Sequence, residues 1–394
     1  MLLIALLLAV MLTAIGWYVA RDLFAPFVAA PAVWAAAIIV YYVLPAGFYP
    51  IERQFPFPLI VWLSGFFVTS LLVTSRTAPA SDVAIAREPN RAVLRFYIAI
   101  TLTVIPLICF MVIWKAFTTE PETMFRYMRV MNTGRDENVE PPEFGPLIYF
   151  TAMAFVMMFF AYLYFRSKWV IGSVVFMNLL FAFITMSKTV FLSIIFSSLY
   201  FLYTRGKIKL KHMVIGIAVF AVFAFILQTA RQVDDDVETA GFLSLYLSSS
   251  MVAFDYFAEA CSSVNWGANT FRLFYAVGHA VGLTSEPTEV ILPFVSVPDL
   301  TNTYTNLYPF YTDFGTWGVF VFSIIYGAVY GYFYKKSQTG GKMQLILYAI
   351  FLTFLLLEFI GEFIFTNLSM FLQYMVFAVL PFFIKGKSLN AEVV

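Results

Sequence analysis

The chain has 394 residues, of which 61% are hydrophobic and only 12% are charged. A soluble domain carries about 25% charged residues, so the composition excludes an ordinary globular protein and predicts a polytopic membrane protein. The net charge of +1 gives no reason to expect a nucleic acid as partner. Cys109 lies deep in an apolar run and Cys261 in the large loop, so the two cysteines cannot form a disulfide framework. His212 and His279 fall on opposite sides of the predicted topology, so we expect no His/Cys metal site and no cofactor.

Long apolar runs follow one another along the chain, and each approaches the roughly 20 residues that a helix needs to cross hydrocarbon. Lipid offers no partner to an open sheet edge, so every run is predicted to be helical. The predicted spans are 2–20, 25–46, 58–74, 94–115, 146–165, 169–186, 189–204, 213–229, 316–334, 343–363 and 366–384. The prediction is an all-α polytopic membrane protein, with one integral membrane domain over residues 1–394 and about eleven spans, in a range of ten to twelve.

Basic connectors give the orientation of these spans. The connector 205–212 reads RGKIKLKH, and further lysines follow the ninth and the last span at Lys335, Lys336, Lys385 and Lys387. Alternating spans bring all of them to one face, which the positive-inside rule makes cytoplasmic. The C-terminus is therefore predicted to be cytoplasmic and the N-terminus to lie outside.

The opposite face carries two substantial loops, a smaller one at 116–145 and a large one at 230–315. Within the large loop, residues 242–261 have helical period and predict an amphipathic helix lying in the membrane interface, with a plain packing role as the alternative. Asp255 and Glu259 fall on the polar side of this helix and are candidate bases.

Cations on this otherwise acidic outer face are candidate ligands for a phosphate. The guanidinium fork binds phosphate oxygens bidentately, so such a cluster suits a lipid-linked phosphate or pyrophosphate. The alternative is a set of solvated or snorkelling side chains, or, for the residue beside the acidic run 234–236, a local ion pair. The candidates are Arg126, Arg129, Lys188, Arg231 and Arg272.

The end of the large loop combines tyrosines with amides and a carboxylate. Such side chains stack on sugar rings and bond hydroxyl groups, whereas an interfacial aromatic belt does not need the interleaved polar residues. Asp313 lies at the mouth of the ninth span and is the first candidate to accept a proton from an attacking hydroxyl, with His279 second. The sugar-binding candidates are Tyr304, Tyr308 and Tyr311, which recur at helical spacing, and Asn302 and Asn306.

Two further features lie in the last third of the chain. Gly327 and Gly331 predict a close helix–helix contact in the ninth span. Glu358 and Glu362 are predicted on the outer half of span 343–363, one turn apart, where they either neutralise the outer arginines or carry protons as in a transporter.

Three motifs resemble a known family. An external loop with arginines precedes a short SKT turn, where family members often have SRT; then come GANTFR at 267–272 and NTYTNLYPFYTDFGTWG at 302–318. This order is similar to that of the Wzy-type oligosaccharide repeat-unit polymerases of O-antigen and capsule synthesis. Lys188 stands in the SKT turn, so the charge is kept but the bidentate fork is lost.

The resemblance implies a GT-C-like fold of class B in the bacterial inner membrane, with the site on the periplasmic side. It implies transfer of a glycan from undecaprenyl pyrophosphate to the non-reducing end of a lipid-linked repeat unit, by a metal-independent glycosyltransferase. The lipid-linked oligosaccharide is then both donor and acceptor. A chain-length regulator and a flippase of the same pathway are the expected protein partners.

Two other functions compete with this interpretation. An O-antigen ligase would move the same glycan to lipid A core, and loss of all capping, rather than of the ladder alone, would identify it. A lipid-linked glycan transporter or flippase would use Glu358 and Glu362 as proton carriers, but internal repeats and midplane helix breaks are not evident in the sequence.

Overall fold

The computed structural model describes residues 1–44, 47–80, 87–133, 139, 142–204, 206, 242–258, 266–289, 291–297 and 300–384. The described helices are α1 (Leu2–Ala20), α2 (Pro26–Val43), α3 (Pro56–Arg76), α4 (Arg91–Thr119), α5 (Met124–Thr133), α6 (Tyr149–Tyr164), α7 (Lys168–Ile184), α8 (Lys188–Thr204), α9 (Phe242–Phe257), α10 (Arg272–Ala280), α11 (Tyr308–Gln338), α12 (Lys342–Leu356) and α13 (Leu368–Phe383). A 3-10 turn, Gly145–Ile148, leads into α6, and the short strands β1 (Val295–Ser296) and β2 (Leu300–Thr301) pair antiparallel.

The apolar runs predicted these helices well. Each predicted span that falls on described residues overlaps a helix, although span 343–363 continues past the end of its helix at Leu356, and span 213–229 lies outside the described residues. Among the described residues, six helices are long and apolar enough to cross a membrane, one of them being α6 together with its 3-10 turn, and α7, α8, α12 and α13 are shorter apolar helices. The polytopic, mostly helical membrane class is therefore confirmed, and the count of about eleven spans and the GT-C-like architecture stay predictions.

The chain divides into two compact units. The first comprises Met1–Ala80, Val237–Gly340 and Phe351–Phe371. Its main internal contact joins α3 and α11, where glycines let the two backbones touch. A Cβ atom on Gly327 would lie 2.8 Å from the Phe66 carbonyl, and one on Gly331 would lie 2.5 Å from the Ser70 carbonyl. The predicted small-residue face of the ninth span is thus confirmed as the α3 contact.

The second unit comprises Ser81–Asp236, Gly341–Ile350 and Leu372–Val394. Asn90 caps α4 by accepting a hydrogen bond from the Ala92 N–H at 2.8 Å. Helices α4, α6 and α7 pack against one another, and Asn178 of α7 donates to the Ala154 carbonyl of α6 at 3.1 Å. The short helix α5 lies against this group through Met128 and Met131.

Among its described side chains, helix α9 lacks the water-facing polar side that the sequence predicted for residues 242–261. Asp255, predicted on the polar side of the helix, is buried, and so are Ser244 and Ser248. Asp255 accepts hydrogen bonds from the four successive N–H groups of residues 52–55, at 2.8–3.2 Å, directly before α3 begins. The carboxylate therefore satisfies backbone donors of another segment, and α9 is a packing helix. Glu259 lies outside the described residues.

The acidic pair of the tenth span was also misplaced. Helix α12 ends at Leu356, so Glu358 and Glu362 lie in a non-helical connector, 357–367, rather than one turn apart on a helix. The Glu362 carboxylate accepts hydrogen bonds from the N–H groups of Ile364 (2.7 Å), Phe365 (3.0 Å) and Thr366 (2.7 Å). These bonds satisfy the backbone where the helix is interrupted.

The helical spacing of the three tyrosines was wrong for the first of them. Helix α11 begins at Tyr308, with Pro309 in its first turn, and Tyr304 precedes it in an irregular segment. A proline is accommodated at a helix start because the N–H it lacks has no partner there. Thr305, between the first two tyrosines, has a left-handed φ of 68° and turns the chain into the helix.

Candidate active site

The motifs GANTFR and FYTDFG meet at Asp313. Its carboxylate accepts hydrogen bonds from the Asn269 backbone N–H (3.3 Å), the Asn269 side-chain amide (3.0 Å) and the Thr270 N–H (2.7 Å). The Thr270 hydroxyl in turn donates to the Pro309 carbonyl at 3.2 Å. We call Asp313, Asn269 and Thr270 the Asp313 clamp. It fixes the turn that leads directly into α10.

Aromatic packing supports the Asp313 clamp from one side. The Phe314 ring lies 4.8 Å from the Trp266 ring and 6.2 Å from the Phe271 ring. Gly267, with a φ of 83°, and Gly315, with a φ of 63°, provide the two backbone bends that bring these rings together. The glycines and aromatic residues of the two motifs therefore build one local structure.

Arg272 begins α10 immediately after the clamp. Its Nε donates to the Thr288 carbonyl, and the Thr288 hydroxyl donates to the Ala268 carbonyl at 3.1 Å. Partial burial lowers the pKa of Arg272, yet a guanidinium remains a cation at neutral pH. Within the described part of the chain Arg272 has no ion-pair partner. A half-buried, oriented cation of this kind is suited to an anionic ligand.

His279 lies on the same side of α10 as Arg272. The two are seven residues apart, which is close to two full helical turns. The helix ends in a Schellman-type turn: the Leu283 N–H donates to the Gly278 carbonyl at 2.8 Å, and Gly282 has a φ of 75°. His279 is exposed and its Nδ1 lies 3.4 Å from the Thr284 carbonyl. The Thr284 carbonyl can only accept a hydrogen bond, so this contact is a hydrogen bond in the tautomer that has its proton on Nδ1.

The other side of α10 is apolar. Phe274 and Val277 are exposed, and their helical positions lie opposite Arg272 and His279. Helix α10 therefore has a polar, cationic side and an apolar side, and no residue of it is buried. This is the pattern of a helix that lies in a membrane surface.

The predicted sugar-binding residues mostly lie in the interior. Tyr304, Tyr308 and Asn306 are buried, and the Tyr304 hydroxyl donates to the Pro293 carbonyl at 3.0 Å. Asn302 and Tyr311 are half-buried. The buried members support the segment 302–308 from behind, and their part in sugar binding stays a prediction.

The remaining predicted cations are placed less completely. Arg126 is exposed and Arg129 is half-buried, both on α5 in the second unit. The role of these two arginines in phosphate binding stays a prediction. Lys188 begins α8, and its side chain lies outside the described part of the structure. Arg231 also lies outside the described residues.

Sequence reasoning missed the polar residues that place Arg272. Asn269 and Thr270 belong to the GANTFR motif, and their polar side chains next to Arg272 were the signal in the sequence that could have identified them. Thr288 has no neighbouring motif, and only its position in the fold reveals its contact with Arg272.

The described structure defines a polytopic helical membrane protein with a polar site between its GANTFR and FYTDFG segments. Residues 142–361, more than half of the chain, match the family described as "Putative O-antigen polymerase". The chain belongs to the O-antigen polymerase family, so it is a polysaccharide polymerase of the glycosyltransferase type. No curated protein and no solved structure matches this chain.

Proposed function

We propose that the protein transfers a growing glycan from undecaprenyl pyrophosphate to the non-reducing end of a lipid-linked repeat unit, at the periplasmic face of the inner membrane. The observation that carries the proposal is the two-sided helix α10. Its apolar side, with Phe274 and Val277, suits the boundary of the hydrocarbon, and its other side presents Arg272 and His279 at the level of a lipid headgroup.

Arg272 is the group proposed to hold the leaving pyrophosphate. In the reaction the acceptor hydroxyl oxygen bonds to C1 of the donor sugar, while the bond from C1 to the pyrophosphate oxygen breaks. That oxygen takes the electron pair, so negative charge develops on it. The Asp313 clamp and the Thr288 carbonyl orient Arg272 before the charge appears, which is the condition for effective electrostatic stabilisation. Arg231, Arg129, Lys188 and Arg126 remain proposed additional cations.

His279 is the group proposed to take the proton of the acceptor hydroxyl. In the tautomer whose Nδ1 donates to the Thr284 carbonyl, Nε2 is the basic nitrogen, while both Asp313 oxygens already accept hydrogen bonds from Asn269 and Thr270. Asp313 therefore acts as a positioning residue in this proposal, and the proton passes from His279 to water after the transfer. The products are the lengthened glycan on the acceptor lipid and undecaprenyl pyrophosphate.

The position of basic connectors supports the membrane orientation. Lys335 and Lys336 lie in the last turn of α11, at the end opposite Asp313. The positive-inside rule then puts Asp313 and α10 on the periplasmic side and the C-terminus in the cytoplasm. A chain-length regulator and a flippase of the same pathway are the proposed protein partners.

Glycan gels of a strain that lacks this protein test the proposal. The wild-type gene restores the ladder of long chains, whereas Arg272→Ala and His279→Gln retain a single capped repeat unit and lose the ladder. His279→Gln keeps a donor toward Thr284 but removes the base. Arg53→Ala is the matched control, because Arg53 lies 4.2 Å above the Tyr256 ring and has a local packing role.

Each failure of this test has a distinct meaning. Loss of all capped species would indicate a ligase, and accumulation of lipid-linked units on the cytoplasmic side would indicate a flippase. A normal ladder from Arg272→Ala would remove that residue from the pyrophosphate site. A normal ladder from His279→Gln, with loss in Asp313→Asn, would assign the proton to Asp313 instead.

A further inference from the structure

Glu358 is a buried acid with an incomplete set of hydrogen-bond donors. It lies in the connector 357–367 with only 2% of its surface exposed. Its Oε2 accepts hydrogen bonds from the Trp62 indole N–H and from the Asn306 side-chain amide, both at 3.2 Å. No cation forms an ion pair with it among the described residues.

Two buried oxygens of this group lack a donor. Glu358 Oε1 and Asn306 Oδ1 have no hydrogen-bond partner within the described structure. The Trp34 indole N–H lies near the same carboxyl group and is itself a buried donor outside hydrogen-bond distance or angle of any described acceptor. If the Glu358 carboxyl group were ionised, Glu358 Oε1 and Asn306 Oδ1 would both be buried acceptors without a donor, which costs several kcal/mol.

One proton would provide a donor where both of these acceptors lack one. The Asn306 amide already donates to one carboxyl oxygen, and the second carboxyl oxygen and the amide oxygen are the unpartnered acceptors of the same two side chains. A proton on Oε1 makes that oxygen a hydroxyl, which can donate to Asn306 Oδ1 and so form a cyclic acid–amide pair. We propose that Glu358 is a neutral carboxylic acid in the resting protein and that it positions segment 302–308 through Asn306.

The backbone supports this positioning role. The Asn306 N–H donates to the Glu358 carbonyl at 2.8 Å, and Thr305 pairs with Gly361 in a short parallel bridge. Segment 302–308 leads into the start of α11 and Asp313. The positioning of segment 302–308 matters for the site only under the proposed function, because polymerisation is one of the measurements that test it.

Glu362 is a matched control in the same connector. Its carboxylate accepts hydrogen bonds from three backbone N–H groups and from the Tyr326 hydroxyl, so its surroundings require acceptors on both oxygens. A glutamine at Glu358 can donate to Asn306 Oδ1 and still accept at the other atom. In Glu362→Gln the side-chain amide NH2 would face backbone N–H groups, so that hydrogen-bond donors would oppose one another.

The test compares Glu358→Gln, Glu358→Leu and Glu362→Gln in the full-length protein in native membranes. Glu358→Gln restores the ladder within about two-fold of wild type, because the acid–amide geometry is preserved. Glu358→Leu and Glu362→Gln lose about ten-fold or more of the long-chain product, as expected when buried donors are left unpaired. Infrared spectra of purified protein at neutral pH show a protonated carboxyl band that Glu358→Gln removes.

The outcomes separate this inference from the proposed function. Loss of the ladder in Glu358→Gln with normal expression and melting, or an unchanged carboxyl band, would overturn the neutral acid. If wild-type protein fails to restore a ladder, the proposed function fails, while the infrared band and the melting temperatures of the three variants still decide the state of Glu358.

Discussion

The short helices α5 and α10 both carry arginines outside the long apolar helices, but they are held by different forces. In the second unit, α5 buries Met128 and Met131 in an apolar cluster with residues of α4 and α6. In the first unit, α10 has no buried residue and is fixed at its start by the Asp313 clamp. Burial of apolar side chains therefore holds the helix that carries Arg126 and Arg129, whereas a few hydrogen bonds hold the start of the helix that carries Arg272.

The difference has a practical consequence for mutagenesis. Apolar anchoring is spread over many contacts, so its loss lowers the stability of the surrounding helices. A polar clamp is concentrated in a few atoms, so its loss moves one cation without unfolding the core. The two kinds of anchoring can therefore be distinguished by measuring polymer length and thermal stability on the same variants.

Asp313→Ala should have the largest effect on polymerisation. It removes the acceptor of the Asn269 and Thr270 hydrogen bonds, and bonds to a charged group are worth about 1.5–3 kcal/mol each. We expect the ladder to disappear on a glycan gel while membrane expression persists. Asn269→Ala, which removes only the side-chain amide, should shorten the ladder. Equal ladders from both variants and wild type would contradict a clamp.

Met128→Ala should have the largest effect on stability. Met128 is fully buried, and a Met→Ala change in a core costs about 2–5 kcal/mol. Thermal unfolding in detergent should shift downward, with polymer length reduced in proportion to the folded fraction. Met128→Leu conserves volume and should stay within about 1.5 kcal/mol of wild type. An unchanged melting temperature for Met128→Ala would show that α5 is not anchored by burial.

Val277→Ala should have the smallest effect on stability. Val277 is exposed on the apolar side of α10, so its truncation should change stability by less than about 0.5 kcal/mol. Val277→Asp, in contrast, places a charge where the helix is proposed to meet lipid and should shorten the ladder without altering the melting temperature. A destabilised Val277→Ala protein would mean that this side of α10 packs against protein.

Much of the helical architecture could be predicted because apolar run length is a strong signal in lipid. The runs 2–20 and 189–204, for example, lie within one residue of α1 and α8. The connector 357–367 was not predicted, since hydropathy continues through it and the helix is interrupted by the hydrogen bonds of Glu362. Amino-acid composition does not predict which backbone N–H groups will donate to a given carboxylate in the folded protein.

The site was predicted in its parts but not in its connections. Asp313, Arg272 and His279 stand out by residue type, yet Asp313 contacts residues 43 and 44 positions earlier. Asp255 shows the same limit, since a helical wheel separates polar from apolar positions without distinguishing water from buried backbone donors. Residue pattern therefore identifies candidates, and long-range hydrogen bonds decide their roles.

The contact between α3 and α11 limits how the enzyme can move during a catalytic cycle. Where Gly331 meets the Ser70 carbonyl, no layer of side chains can change rotamer and let one helix slide or rotate against the other. The part of α11 that carries Gly327 and Gly331 is thus fastened to α3, whereas Asp313 lies in the first part of the helix, before the non-helical backbone of Gly315. Any rearrangement that accompanies chain growth is therefore expected outside this helix pair.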